Sequence, residues 1–199
     1  MKKLVSFIII FLVFIPASVL ANTTHTVSYG DTMWKIALKY QVGVTEIIQA
    51  NPQIKNPNLI YPYQRITIPS ANQEIRNFEQ EVIRLTNIER QKAGLTPLKE
   101  HWELSRVAKH KSIDMAQRNY FSHTSPTYGS PFDMIRAYGL TYRSAGENIA
   151  KGQRTPQQVV NAWMNSSGHR ANILNHSYTH IGVGYEAKGH YWTQMFISQ

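Results

Sequence analysis

The sequence predicts an α+β protein in two parts, a small βααβ module followed by a larger layered domain. Three observations carry this. Two short alternating strands bracket two helical patterns between His25 and Pro69, a series of amphipathic helices follows from Glu74, and two alternating strands around Lys188-Gly189 close the chain.

Residues 1–21 read as a secretory signal peptide: Lys2 and Lys3, an apolar run over 4–15, Pro16, then Val19-Leu20-Ala21 at the cleavage spacing. The run falls short of the roughly 20 residues a membrane-spanning helix needs, so no span is expected once it is removed. The chain carries 21 Lys and Arg against 12 Asp and Glu, a formal charge of +9 that favours anionic partners. Its basic residues are scattered and export takes it away from the cytoplasm, which argues against nucleic acid. It has no cysteine, so the exported fold must rest on its core, a pattern that fits a bacterial envelope.

In the first module, residues 25–28 form a strand and Tyr29-Gly30-Asp31 a turn. Asp31 or Thr32 then caps a helix on which Trp34, Ile36, Ala37 and Tyr40 recur at helical spacing. A second helix over 45–50, capped by Thr45 with Ile47 and Ile48 inward, stops at Asn51-Pro52, and residues 65–69 close as a strand. The stretches His25-Thr26-Val27, Gly30 through Ala37, Ala50-Asn51-Pro52 and Ile66 through Pro69 resemble a LysM domain, here spanning 23–69. The resemblance implies binding of peptidoglycan or another N-acetylglucosamine-containing glycan in a shallow groove lined by Gly30, Asp31, Thr32, Asn58, Leu59 and Ile60. Asp31 and Thr32 also serve as helix caps whether or not sugar binds. Where the family usually has Gly in its last turn this chain has Tyr63, and because Tyr does not readily take a positive φ the turn is expected to differ.

A short polar linker, 70–74, leads into the second domain, 75–199, and is too brief to let the two parts move far from each other. A helix over 74–93 shows Ile75, Phe78, Val82, Leu85 and Ile88 on one stripe and ends at Gly94. A helix over 101–119 turns Leu104, Val107, Ala108 and Met115 inward and leaves Lys109, Lys111, Gln117 and Arg118 in water, with His110 at the boundary. Helices over 131–138 and 156–164 follow, the second burying Val159, Val160 and Trp163. Between them, residues 142–150 carry Glu147 at a strand edge. Ser166-Ser167-Gly168 turns the chain so that His169 opens a new helix. Residues 180–186 and 191–197 form the closing hairpin.

The blocks Asn87-Ile88-Glu89-Arg90, Tyr120-Phe121-Ser122-His123, Gly146-Glu147-Asn148-Ile149-Ala150, Ala162 through Arg170, Ile181 through Gly184 and Thr193 through Phe196 resemble a bacterial CAP (SCP-like) domain. Together with LysM and a signal peptide, the chain is similar to secreted envelope or spore-associated proteins of spore-forming bacteria. The resemblance implies an α-β-α sandwich with a central cleft, which in eukaryotic members holds two His and two Glu able to bind a divalent metal. His123 matches the first His and Glu147 one Glu. The second Glu position falls near Ser166 and the second His position near Tyr191, so the implied cleft is His123, Glu147, His169, Ser166 and Tyr191. His169 of the bacterial Ser-Gly-His-Arg pattern is read as filling the vacant place, giving His123, His169 and Glu147 as a three-ligand set for a metal such as zinc.

Two functional readings follow. In the first, the protein is non-catalytic and needs no cofactor: LysM holds the wall, and the second domain binds a protein or lipid partner. In the alternative it is a cell-wall or peptide hydrolase whose candidate catalytic residue is Glu147, acting as general base beside a metal or activated water. No His-Glu-x-x-His spacing supports a metalloprotease, and Ser166 and Ser167 lack a nucleophile-elbow context, which leaves helix capping. Gly182 and Gly184 read as close backbone packing.

Overall fold

The computed structural model describes residues 23–70 and 73–199, so the expected signal peptide lies outside the described residues. No described helix is long and apolar enough to cross a membrane. In the first module β1 (Thr23–Thr26) pairs antiparallel with β2 (Arg65–Ile68), and α1 (Met33–Tyr40) and α2 (Val44–Gln49) pack over the pair. Val27, Met33, Ile36, Ala37, Ile47, Ile66 and Ile68 form its core.

Several expectations for this module are corrected. β1 starts two residues earlier than the alternation suggested. Of the two cap candidates for α1 it is Thr32 that caps, as expected for one of them, through its hydroxyl. Gly43 rather than Thr45 holds the cap position of α2, and only Ile47 of its two isoleucines is buried. Trp34 keeps helical spacing but is 62% exposed. Tyr63 does adopt the left-handed region, at φ 70, which was expected to be avoided.

The second domain begins with α3 (Gln73–Lys92), then β3 (Lys99–Glu100), α4 (Trp102–Gln117), α5 (Pro131–Ala137) and β4 (Ser144–Lys151). It ends with α6 (Pro156–Met164), α7 (Ser167–Ile173), β5 (His180–Glu186) and β6 (Tyr191–Ser198). The sheet order is β3-β5-β6-β4, antiparallel except for the two-residue β3, which the sequence reading missed. Every residue of β6 is buried, because helices cover both faces. Trp192 and Phe196 face α3, α6 and α7 with Trp163, Val82 and Ile173, while Met195 and Ile197 face α4 and α5 with Leu104, Val107 and Ile135. Period two along one strand thus feeds two cores, and the result is the three-layer α-β-α sandwich. Each fully buried large apolar side chain contributes about 1.5–3 kcal/mol relative to exposure. Gly182 and Gly184 let α4 lie on β5: an added Cβ would come within 2.3 Å of Leu104 C and 2.1 Å of Lys109 N.

Two polar devices join distant segments. Arg90, 1% exposed, donates to the carbonyls of Thr96, Ile173 and Asn175 at 2.8–3.0 Å, tying α3 to the end of α7. Arg106 on α4 grips Glu46 on α2 at 2.8 and 2.9 Å, with His110 Nε2 3.1 Å from the same carboxylate. Burial would raise the Glu46 pKa, but these partners outweigh it and hold the carboxyl at about 2. A cavity of about 1000 Å³ lined by Trp34, Leu38, Gln49, Trp102 and Tyr138 opens beside this bridge.

Candidate functional site

The site forms over β4, the free edge of the sheet. Successive residues there point to opposite faces. Glu147 shares its face with its register partner Met195, and Asn148 shares the other face with Gln194. Asn148 Nδ2 donates to the His169 carbonyl at 3.1 Å and to Gln194 Oε1 at 3.0 Å, which fixes the first turn of α7 against the strand. Asn172 Nδ2 donates to the Glu147 carbonyl at 3.1 Å and to Asn148 Oδ1 at 2.8 Å, capping an edge group that no further strand satisfies. Gly146 is required by crowding, since a Cβ there would lie 2.5 Å from the Tyr178 hydroxyl.

His123 arrives on an irregular loop held from beneath by α4. Lys111, expected in water, is 1% exposed and donates to the His123 carbonyl at 2.8 Å and to the Tyr120 hydroxyl at 3.2 Å. Asp114 accepts from the hydroxyls of Tyr120, Ser125 and Thr127 at 2.6–2.7 Å. Burial raises the Asp114 pKa, but these bonds prevail and the net shift is downward. Burial lowers the Lys111 pKa, and the nearby Glu147 and Asp114 charges oppose that. Lys111, Asp114 and Tyr120 were not among the expected site residues, and a hydrophobic pattern cannot mark such a network.

His123 Nδ1 lies 2.7 Å from Glu147 Oε1. The Glu147 side chain is 2% exposed and its Oε2 is buried without a partner, whereas the His123 side chain is 54% exposed. Nδ1 being engaged, Nε2 is the His123 atom left for a ligand. His169, half-buried at α7, has its pKa lowered first by burial and then by the charge of His123, so the two imidazoles lie within electrostatic reach. Among the described residues no three His, Cys, Asp or Glu side chains are grouped to hold a metal ion. The expected set of His123, His169 and Glu147 is not grouped in that way here, and Glu147 Oε1 lies against His123 Nδ1. Ser166 occupies the N-cap position of α7 without a side-chain capping bond. Tyr191 is not a polar lining group: it is buried with Met115 and Ile149, opposite Lys151 and four positions along β4 from Glu147.

The first module places its candidate groove residues at one end of the hairpin, because the loop after β1 and the loop before β2 leave the same end of an antiparallel pair. Asp31 Oδ2 accepts from Ser28 N–H at 2.7 Å and bonds His25 Nε2 at 2.9 Å, and both lower its pKa. Gly30 sits at φ 85 and its carbonyl accepts from Lys35 Nζ at 2.7 Å. Asn58 and Leu59 are exposed, while Ile60 packs partly on the core.

Comparison with known proteins agrees with this division. A LysM domain model matches residues 25–69, and the model described as cysteine-rich secretory protein family, CAP, matches residues 83–197. The uncharacterized protein YkwD of Bacillus subtilis (strain 168) is 58% identical over 133 residues, covering 67% of this chain and 52% of that protein. SpoIVD-associated factor A of the same organism is 46% identical over 52 residues, 26% of this chain and 13% of that protein. The chain therefore spans about half, or less, of these curated relatives. A solved extracellular protein containing a SCP domain from Bacillus anthracis str. Ames superposes with a TM-score of 0.61 at 36% identity, covering 69% of this chain and 47% of that one. With both models matched in order and the sandwich in place, the chain belongs to the cysteine-rich secretory protein (CAP) family and carries a LysM domain ahead of its CAP domain.

Proposed function

We infer that this is a secreted cell-wall or spore-envelope protein whose LysM domain holds peptidoglycan or a related glycan and whose CAP cleft binds a protein or lipid partner without turning it over. The observation that carries the cleft reading is Glu147 Oε2, a buried carboxylate oxygen with no donor beneath a half-exposed imidazole. Buried polar atoms are nearly always satisfied, so a bare one at an opening supports a ligand that brings the donor. The net basic charge suits anionic wall polymers. Residues 23–69, which have their own core, should sediment with purified peptidoglycan; if only 75–199 does so, the anchor is misassigned.

One observation favours the hydrolase reading: burial lowers the His169 pKa, which favours the unprotonated imidazole, the form able to accept a proton, near the His123–Glu147 pair. Incubation with labelled peptidoglycan and with peptide libraries separates the two. Turnover that disappears in Glu147→Gln with the fold intact would establish the enzyme, and no turnover across pH and added metals would establish binding.

A further inference from the structure

The most unusual backbone position in the LysM module is Tyr63. It lies at φ 70, in a region that costs a non-glycine residue of order 1 kcal/mol or more. The ring gains no packing in return, being 87% exposed. The backbone around it is nevertheless fixed. Tyr63 N–H donates to the Val27 carbonyl at 2.8 Å, Val27 N–H to Gln64 O at 2.9 Å, and Gln64 N–H to Tyr61 O at 3.1 Å, while Gln64 Oε1 accepts from Tyr61 N–H at 3.0 Å. An exposed aromatic is therefore carried on a strained but fixed backbone. Glycine would make this turn without strain, so the fold alone gives no reason for a tyrosine.

The surroundings supply one. Tyr61 and Leu59, 60% and 51% exposed, lie in the same loop, and with Tyr63 they line an open concavity of about 580 Å³. That volume falls within the roughly 300–1,000 Å³ of ligand sites. Asn56 and Gln64 line it too, and within the described residues their side-chain NH₂ groups have no protein acceptor. Flat aromatic faces beside amide donors match the chemistry of an N-acetylhexosamine, whose ring carries an apolar C–H face while its hydroxyls and acetamido carbonyl accept hydrogen bonds. Leu59 belongs both to this concavity and to the candidate glycan groove, so the two surfaces are continuous.

We propose that Tyr63, with Tyr61, is an added sugar-stacking platform that lengthens the LysM groove by one N-acetylhexosamine unit. This rests on the LysM domain binding glycan as proposed above. A fixed backbone beneath the ring means that no turn has to be ordered when the sugar arrives, which favours affinity for longer chains over shorter ones.

The test uses the chain from residue 23 onward, with the N-acetylglucosamine dimer and tetramer titrated by calorimetry and melting followed in parallel. Tyr63→Gly should raise the melting temperature by releasing the backbone strain and yet weaken tetramer binding about three- to tenfold, in the range of one aromatic contact, with a smaller effect on the dimer. Tyr63→Ala keeps the strained φ and loses the ring, so it should weaken tetramer binding without the rise in melting temperature. Tetramer affinity unchanged in both variants overturns the platform and leaves the glycan reading standing. Wild type that binds neither oligosaccharide overturns the glycan reading and the platform with it.

Discussion

His123 Nδ1 lies 2.7 Å from Glu147 Oε1, so a hydrogen bond joins a loop braced by α4 to the edge strand of the sheet. The exposed partner of that pair bonds one of the two oxygens of the buried carboxylate. His123→Ala should therefore destabilise the domain by about 1–3 kcal/mol although its side chain is half exposed, because it strips the donor from a buried carboxylate. Urea unfolding measures this, and His123→Ala combined with Glu147→Gln should recover part of the loss. A neutral His123→Ala would mean that water already reaches Glu147.

Glu147 Oε1 is taken by His123, and among the described residues no three His, Cys, Asp or Glu side chains are grouped to hold a metal. Zinc should then leave the melting temperature of wild type and His169→Ala equally unchanged. A zinc-dependent rise in wild type that is lost in His169→Ala would show a ligand set that closes on the metal by mass action.

Glu79 on α3 is buried and accepts from Tyr185 N–H at 3.0 Å. Burial pushes its pKa up to about 7, against the opposing pull of Lys109. A carboxyl raised in the folded state binds its proton more tightly there than when unfolded. Its contribution is therefore full below the ordinary 4.5 and is lost as pH rises through about 7. Glu79→Gln keeps an acceptor for Tyr185 and should flatten that decline, giving roughly 1–3 kcal/mol more stability than wild type at pH 8 and no gain at pH 4. Chemical denaturation at the two pH values decides it.

The Glu46 carboxyl behaves oppositely. Held at about 2, it contributes stability above the ordinary 4.5 that is lost as pH falls toward 2. Arg106→Ala should cost about 1–2 kcal/mol at neutral pH, allowing for partial solvent exposure, and almost nothing near pH 2. The same variant should speed protease cleavage between the two modules, since Arg106 and His110 both hold Glu46 of the first module. Cleavage at the wild-type rate would mean that the bridge does not restrain the linker.

The division of the chain was legible in its sequence because periodicity reports burial: Leu104, Val107, Ala108 and Met115 are all fully buried, as their spacing requires. The same logic misplaced Lys111, four positions before Met115, because its ammonium is satisfied by a carbonyl and a hydroxyl that reach it only after the Tyr120–His123 loop has folded back. The Gly-Glu-Asn block pointed to Glu147, but the role of Asn148 as the bond between β4 and His169 depends on a pairing across more than twenty residues. Tyr63 failed in a different way. Its steric preference was read correctly, and the hydrogen bonds to Val27 overrode it.

Arg90 closes its domain with three carbonyl bonds in a chain that contains no sulfhydryl. A covalent bridge over such a span would make folding wait on an oxidant and would expose the product to thiol exchange. A guanidinium carries no redox potential. The domain can therefore fold without an oxidoreductase, and neither dithiothreitol nor peroxide has a crosslink to break or form, which makes this cross-brace indifferent to the redox state of its surroundings.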